Sequence, residues 1–119
     1  MRRERLFLAD IVDAADAVAG FVAGRSKESF LNDDLLRSAV LHKLTIIGEA
    51  AARLPRTFRE AHPNVPWADI VAFRNIAVHS YFAVDWMIVW TTAIEEAPEL
   101  RRQIASLFSR PGPSAADHP

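Results

Sequence analysis

Apolar residues recur at three- and four-residue steps along most of this chain, the spacing that places them in one stripe on an α-helix. Phe7, Ile11, Ala14, Val18, Phe21 and Val22 mark a first helix, with Asp10, Asp13 and Asp16 mostly off the stripe and a stop near Gly24. Ser26 to Leu31 reads as a connector. Asn32 is the expected N-cap of a long second helix, with Asp33 and Asp34 in the first turn, where the helix dipole favours carboxylates. Leu36, Val40, Leu44, Ile47 and Ala51 carry that helix to just before Pro55. Gly48 falls inside it, and a glycine there is costly enough that it marks a close helix crossing rather than a break.

Pro55 to Pro63 allows one short helical turn, and Asn64-Val65-Pro66 is a connector whose proline is preset to begin a fourth helix. That helix is expected from about Trp67 to Phe82. Asp85 is the expected N-cap of a fifth, starting at Trp86, which Pro98 should kink or split. No strand pattern or internal repeat is present. The pattern predicts an all-α bundle of four to five helices as one domain over residues 1–109, followed by a disordered tail at 110–119 with nothing to bury.

Composition narrows the picture. With 119 residues, 50% of them hydrophobic, the chain forms one domain. A domain of this size buries only about two-thirds of the surface its unfolded chain exposes, so apolar surface is left for a partner, a second copy first of all. The absence of cysteine excludes a disulfide scaffold and a thiolate metal site. Acidic residues at 10, 13 and 16 interrupt any signal-peptide core behind the basic start Met1-Arg2-Arg3, and no apolar run approaches a membrane span. A cytoplasmic protein is expected. The formal net charge of −1 argues against a whole-surface grip on nucleic acid, not against a local basic site. All but two of the 14 basic residues are arginine, the exceptions being Lys27 and Lys43. That bias suits phosphate recognition, and codon usage in a GC-rich genome would produce it equally.

The four histidines, at 42, 62, 79 and 118, are scattered, and none has metal-ligand spacing to another. The acidic pairs Asp33/Asp34 and Glu95/Glu96 are accounted for by helix-end charge and solvation. More informative is Arg74-Asn75-Ile76-Ala77-Val78-His79-Ser80-Tyr81. On a helix turning about 100° per residue, Arg74 and Tyr81 fall within about 60° of each other, and Asn75 and His79 share a neighbouring line. Such a cluster is met either by a buried histidine satisfied by a carbonyl with Arg74 reaching water, or by chemistry. Imidazole moves protons near neutral pH, and arginine stabilises an anionic phosphorane. Metal-free RNA cleavage needs a base for the 2′-hydroxyl, an acid for the 5′-oxygen and a cation for the phosphate. Two such helices across a two-fold axis would supply them in pairs.

The run from Val65-Pro66-Trp67 to Arg74-Asn75 and His79-Ser80-Tyr81, with Ile47-Gly48-Glu49-Ala50-Ala51 upstream and Asp85 after it, resembles the HepT-like toxins of the HEPN superfamily. The resemblance covers the chain except its C-terminal tail. It implies an all-helical HEPN-type bundle that dimerises through the helices flanking the motif. It further implies a metal-independent endoribonuclease whose Arg74 and His79 line a cleft at the dimer interface, with Asn75 in a supporting role. The resemblance brings no cofactor of the chain's own. It implies a partner, a nucleotidyltransferase antitoxin of the MntA type that binds ATP and magnesium and silences the toxin by AMPylation of Tyr81. Glu49 matches by motif alone, with a helix–helix contact as its expected role. Ser80 stands where many relatives have glycine, which touches the cleft's shape rather than its chemistry. Two competing readings are a non-catalytic helical partner of a minimal nucleotidyltransferase, binding a nucleotide or presenting a substrate, and an inert dimerisation module.

Overall fold

The computed structural model describes residues 2–75 and 84–109, so the expected tail and the later part of the expected fourth helix lie outside the described residues. Helix α1 (Arg2–Val22) stops as the stripe runs out. Gly24 then adopts a φ of 73°, the left-handed conformation that glycine takes without a Cβ penalty, and Arg25 N–H donates to the Val22 carbonyl at 2.9 Å.

The expected connector is a short helix, α2 (Lys27–Leu31). It is held by reciprocal capping, with Ser29 N–H donating to Ser26 Oγ at 3.0 Å and Ser26 N–H to Ser29 Oγ at 3.2 Å. This helix displaces the expected cap by one residue. Asn32 closes α2, its side-chain amide donating to the Glu28 carbonyl at 3.0 Å, and Asp33 caps the long helix α3 (Asp34–Arg53) by accepting from Leu36 N–H at 3.0 Å. The whole α3 stripe, Leu36, Val40, Leu44, Ile47 and Ala51, is buried as expected.

The short turn expected after Pro55 is α4 (Arg56–Ala61). Helix α5 (Trp67–Val71) is shorter than the expected fourth helix. The α-helical pattern gives way at Ala72, where Asn75 N–H reaches back only three residues to the Ala72 carbonyl at 3.0 Å, and helical conformation resumes over 73–75. No proline or glycine marks that interruption in the sequence. Asp85 caps α6 (Trp86–Thr91) as expected, accepting from Met87 N–H at 3.0 Å and Ile88 N–H at 3.3 Å.

The expected disruption at Pro98 takes the form of a widened turn that divides α6 from the last helix without a break in the chain's helical course. Ahead of Pro98 lies a π-helical segment, Thr92–Glu96, in which Ala97 N–H donates to the Thr92 carbonyl five residues back, and α7 (Ala97–Ser109) follows directly. A proline clashes with the carbonyl four residues before it and offers that carbonyl no N–H. The wider turn accommodates both deficits without ending the helix.

Among the described residues, the regular structure is all helical. Helix α1 packs against α3 and α7, and α3 packs against α5 on another side. Ile11 and Val18, Val40, Leu44 and Ile47, and Ile104 meet in the centre, each at 0% exposure. At one end of the bundle Phe30 of α2, also fully buried, packs on Trp90 and Trp86 of α6 with ring centroids 5.2 and 6.5 Å apart. An exposed ion pair, Arg101 to Asp16 at 2.9 Å, links α7 to α1. No helix among the described residues is long and apolar enough to cross a membrane.

Candidate active site

The motif region is reached through Trp67. Its indole N–H donates to the His62 carbonyl at 3.0 Å, and its ring meets Phe58 edge-on at 6.3 Å, while His62 stacks obliquely on Phe58 at 4.6 Å. The Pro66-Trp67 lead-in therefore fixes where α5 starts, and His62 serves this packing. From Trp67, Ile70 and Phe73 bury one side of the segment against the bundle, which leaves Arg74 partly exposed and Asn75 exposed.

Arg74 sits directly on Gly48. A Cβ placed on Gly48 would lie 2.5 Å from the Arg74 backbone nitrogen, 3.1 Å from the Arg74 Cβ and 3.1 Å from the Ile70 carbonyl oxygen. The close crossing expected at Gly48 is thus real, and its partner is the backbone of the motif arginine itself. By contrast, a Cβ on Gly20 of α1 would meet nothing within 4 Å.

Many of the other arginines are committed to the fold. Arg25, Arg37, Arg56, Arg101 and Arg102 pair with Asp33, Asp34, Glu60, Asp16 and Glu99, and Arg5 lies over the Phe108 ring. These contacts engage six of the twelve arginines. Among the described residues Arg74 forms no ion pair, so its charge is not spent on a carboxylate of the bundle.

The structure thus places Arg74 and Asn75 on consecutive positions beside the α3 crossing; His79 and Tyr81 lie outside the described residues. Glu49, next to Gly48, is exposed and borders a groove of about 390 Å³ between α1 and α3, together with His42, Arg53 and Asp10. A second groove, of about 450 Å³, opens beside Phe73 with Ile70 and Leu100 at its base and Asp69, Glu95, Glu96 and Glu99 around it. Its four carboxylates make that face acidic. Arg102 holds the Glu99 carboxyl below the usual range by a direct hydrogen bond. Among the described residues no three His, Asp or Glu side chains gather into a possible metal site.

Residues 11–107 match the family described as ribonuclease HepT-like, a span that takes in both Gly48 and the whole Arg74–Tyr81 motif. The chain belongs to this family. Among HepT-like relatives, "Putative RNase MJ1380" of Methanocaldococcus jannaschii is 37% identical over 103 residues, covering 87% of this chain and 94% of that protein. "Putative RNase TTE0752" of Caldanaerobacter subterraneus subsp. tengcongensis is 37% identical over 110 residues, covering 92% and 98%. "Probable ribonuclease HepT" of Thermococcus cleftensis is 34% identical over 106 residues, covering 89% and 96%. No solved structure matches the chain. For this HepT-like chain, sequence reasoning found Gly48 and Trp67 as landmarks but could not identify what each touches.

Proposed function

We propose that this protein is a metal-independent endoribonuclease, the toxin of a toxin–antitoxin pair, acting as a homodimer. In this reading a His79 imidazole takes the proton of an RNA 2′-hydroxyl, whose oxygen attacks the adjacent phosphorus. The 5′-oxygen then leaves with a proton from the partner copy's imidazole, giving a 2′,3′-cyclic phosphate and a 5′-hydroxyl end. Arg74 stabilises the extra negative charge of the phosphorane, and Asn75 helps hold phosphate or imidazole in place. The observation that carries the reading is membership of the HepT-like family across residues 11–107, with Arg74, Asn75, His79 and Tyr81 all present in the matched span. An Arg74 with no ion pair among the described residues supports it.

Silencing fits the same reading. A nucleotidyltransferase partner holding ATP and magnesium would pass AMP to the Tyr81 oxygen with loss of pyrophosphate. With Tyr81 seven residues after Arg74 on the expected helix, the resulting phosphodiester would put negative charge and an adenine close to the cation intended for RNA. The deciding experiment is incubation of purified protein with single-stranded RNA in excess chelator. Cleavage ending in cyclic phosphate is expected, with loss of at least about 100-fold for His79→Ala or Arg74→Ala. Cleavage that requires added metal, or that survives His79→Ala, refutes the mechanism.

A further inference from the structure

We propose that Gly48 is a positioning residue for Arg74, so that the placement of the phosphate-binding cation is set by a helix crossing one helix away. The inference rests on the ribonuclease reading and adds to it a residue that touches no substrate. Glycine is the poorest helix former after proline, and α3 retains one in its buried middle, where Ile47 and Ala51 on either side are fully enclosed. The reason lies across the crossing. The Arg74 nitrogen and the Ile70 carbonyl oxygen lie one helical turn apart, and both press on the space where a Cβ would be.

A side chain at 48 would stand about 0.9 Å inside the 3.4 Å lower limit of ordinary contact with the Arg74 nitrogen. The atom that must yield is backbone rather than the flexible end of a side chain. Helix α3 cannot retreat, since α1 packs against it as well. The displacement therefore falls on the motif segment, which carries Arg74 away from α3. A displacement of about 1 Å in a group that stabilises a transition state is enough to cost about 100-fold in rate.

The test is Gly48→Ala in the full-length protein, with Gly20→Ala as the control for a helix glycine in open space. Gly48→Ala is expected to lower kcat by about 10- to 100-fold with KM changed less than about threefold, while Gly20→Ala leaves both unchanged. Because Gly48 is argued to act through Arg74, the double variant Gly48→Ala/Arg74→Ala should lose no more activity than Arg74→Ala alone. Full activity in Gly48→Ala, or losses that multiply in the double variant, overturns the proposal and leaves the ribonuclease reading standing. No cleavage by the wild-type protein overturns that reading instead. Should Gly48→Ala fail to fold, amide hydrogen exchange on the wild-type protein decides. The Arg74 amide is expected to exchange as slowly as that of Ile47, and exchange more than about 100-fold faster shows that the crossing does not hold it.

Discussion

Phe30→Ala tests whether the short α2 helix is a structural member or a decoration. Phe30 is fully buried and packs on Trp90 and Trp86, so truncation removes the whole phenyl ring from a closed space rather than from a surface. Burying an aromatic of about 200 Å² at about 25 cal/mol/Å² gives about 5 kcal/mol, from which the part retained by alanine is subtracted. Measured costs for such truncations run from about 3 to 5 kcal/mol, so about 4 kcal/mol is the working figure. That is a large share of the roughly 5–15 kcal/mol that holds a domain together. The assay is urea unfolding at fixed protein concentration, followed by the fluorescence of Trp86 and Trp90 and by helical circular dichroism. With a slope of about 1.5 kcal/mol/M, the midpoint should fall by about 2.5 M with the slope unchanged. A fall of less than about 0.5 M would mean that α2 is not docked as described, and the account of this end of the bundle would be wrong.

Two other perturbations probe the helix starts. Asp85→Ala removes the acceptor for the Met87 and Ile88 N–H groups and should destabilise by about 1 kcal/mol in the same unfolding assay, whereas Asp85→Asn, which can still cap, should cost far less. Acid should unfold the protein from the carboxylate side. The backbone N–H of Leu36 holds the Asp33 carboxyl below its usual range, and Arg102 does the same for Glu99. A carboxyl whose pKa is lowered by folding stabilises at pH values above its unfolded pKa, and that contribution is lost as pH falls through the depressed folded value. Thermal midpoints should therefore change little between about pH 7 and 5 and drop below about pH 4. Asp33→Asn should flatten part of that drop, and an unchanged acid profile would remove Asp33 from the explanation.

The legible parts of the fold were those with a repeating signal. The stripes of α1 and α3 run for several turns, and each buried position repeats the same instruction. Asp85 and Gly24 were legible because a cap and a left-handed turn each favour few residue types. Helix α2 was not, because its five residues are too short for a period, and its capping pair is Ser26 with Ser29 rather than a serine with Glu or Gln three residues on. Asn32 and Asp33 are both good caps, and only the presence of α2 decides that Asn32 ends one helix while Asp33 begins the next. The interruption at Ala72 carries no residue signal, since its backbone remains near helical values. At the candidate site, Arg74 and the need for a close approach at Gly48 could both be read from the sequence. Their contact could not, because it joins residues 26 positions apart through backbone atoms that any residue carries.

The π-helical segment makes the last helix a matter of counting. One more residue is accommodated in that turn than an α-helix would hold, so the helices before and after it keep facing the same core. Val89, Trp90 and Ala93 face the core ahead of the segment, and Ala97, Leu100 and Ile104 do so after it. Removing a single residue from Thr92–Glu96 would let the stretch relax to an ordinary helix with α7 still in place, whereas adding one more would rotate α7 by about 100°, turning Leu100 and Ile104 away from α1 and Arg101 away from Asp16. At the exposed positions Glu95 and Glu96 the molecule is thus far more sensitive to an added residue than to a changed one. A change of amino acid there alters only the surface, whereas an added residue shifts the reading frame of the packing itself.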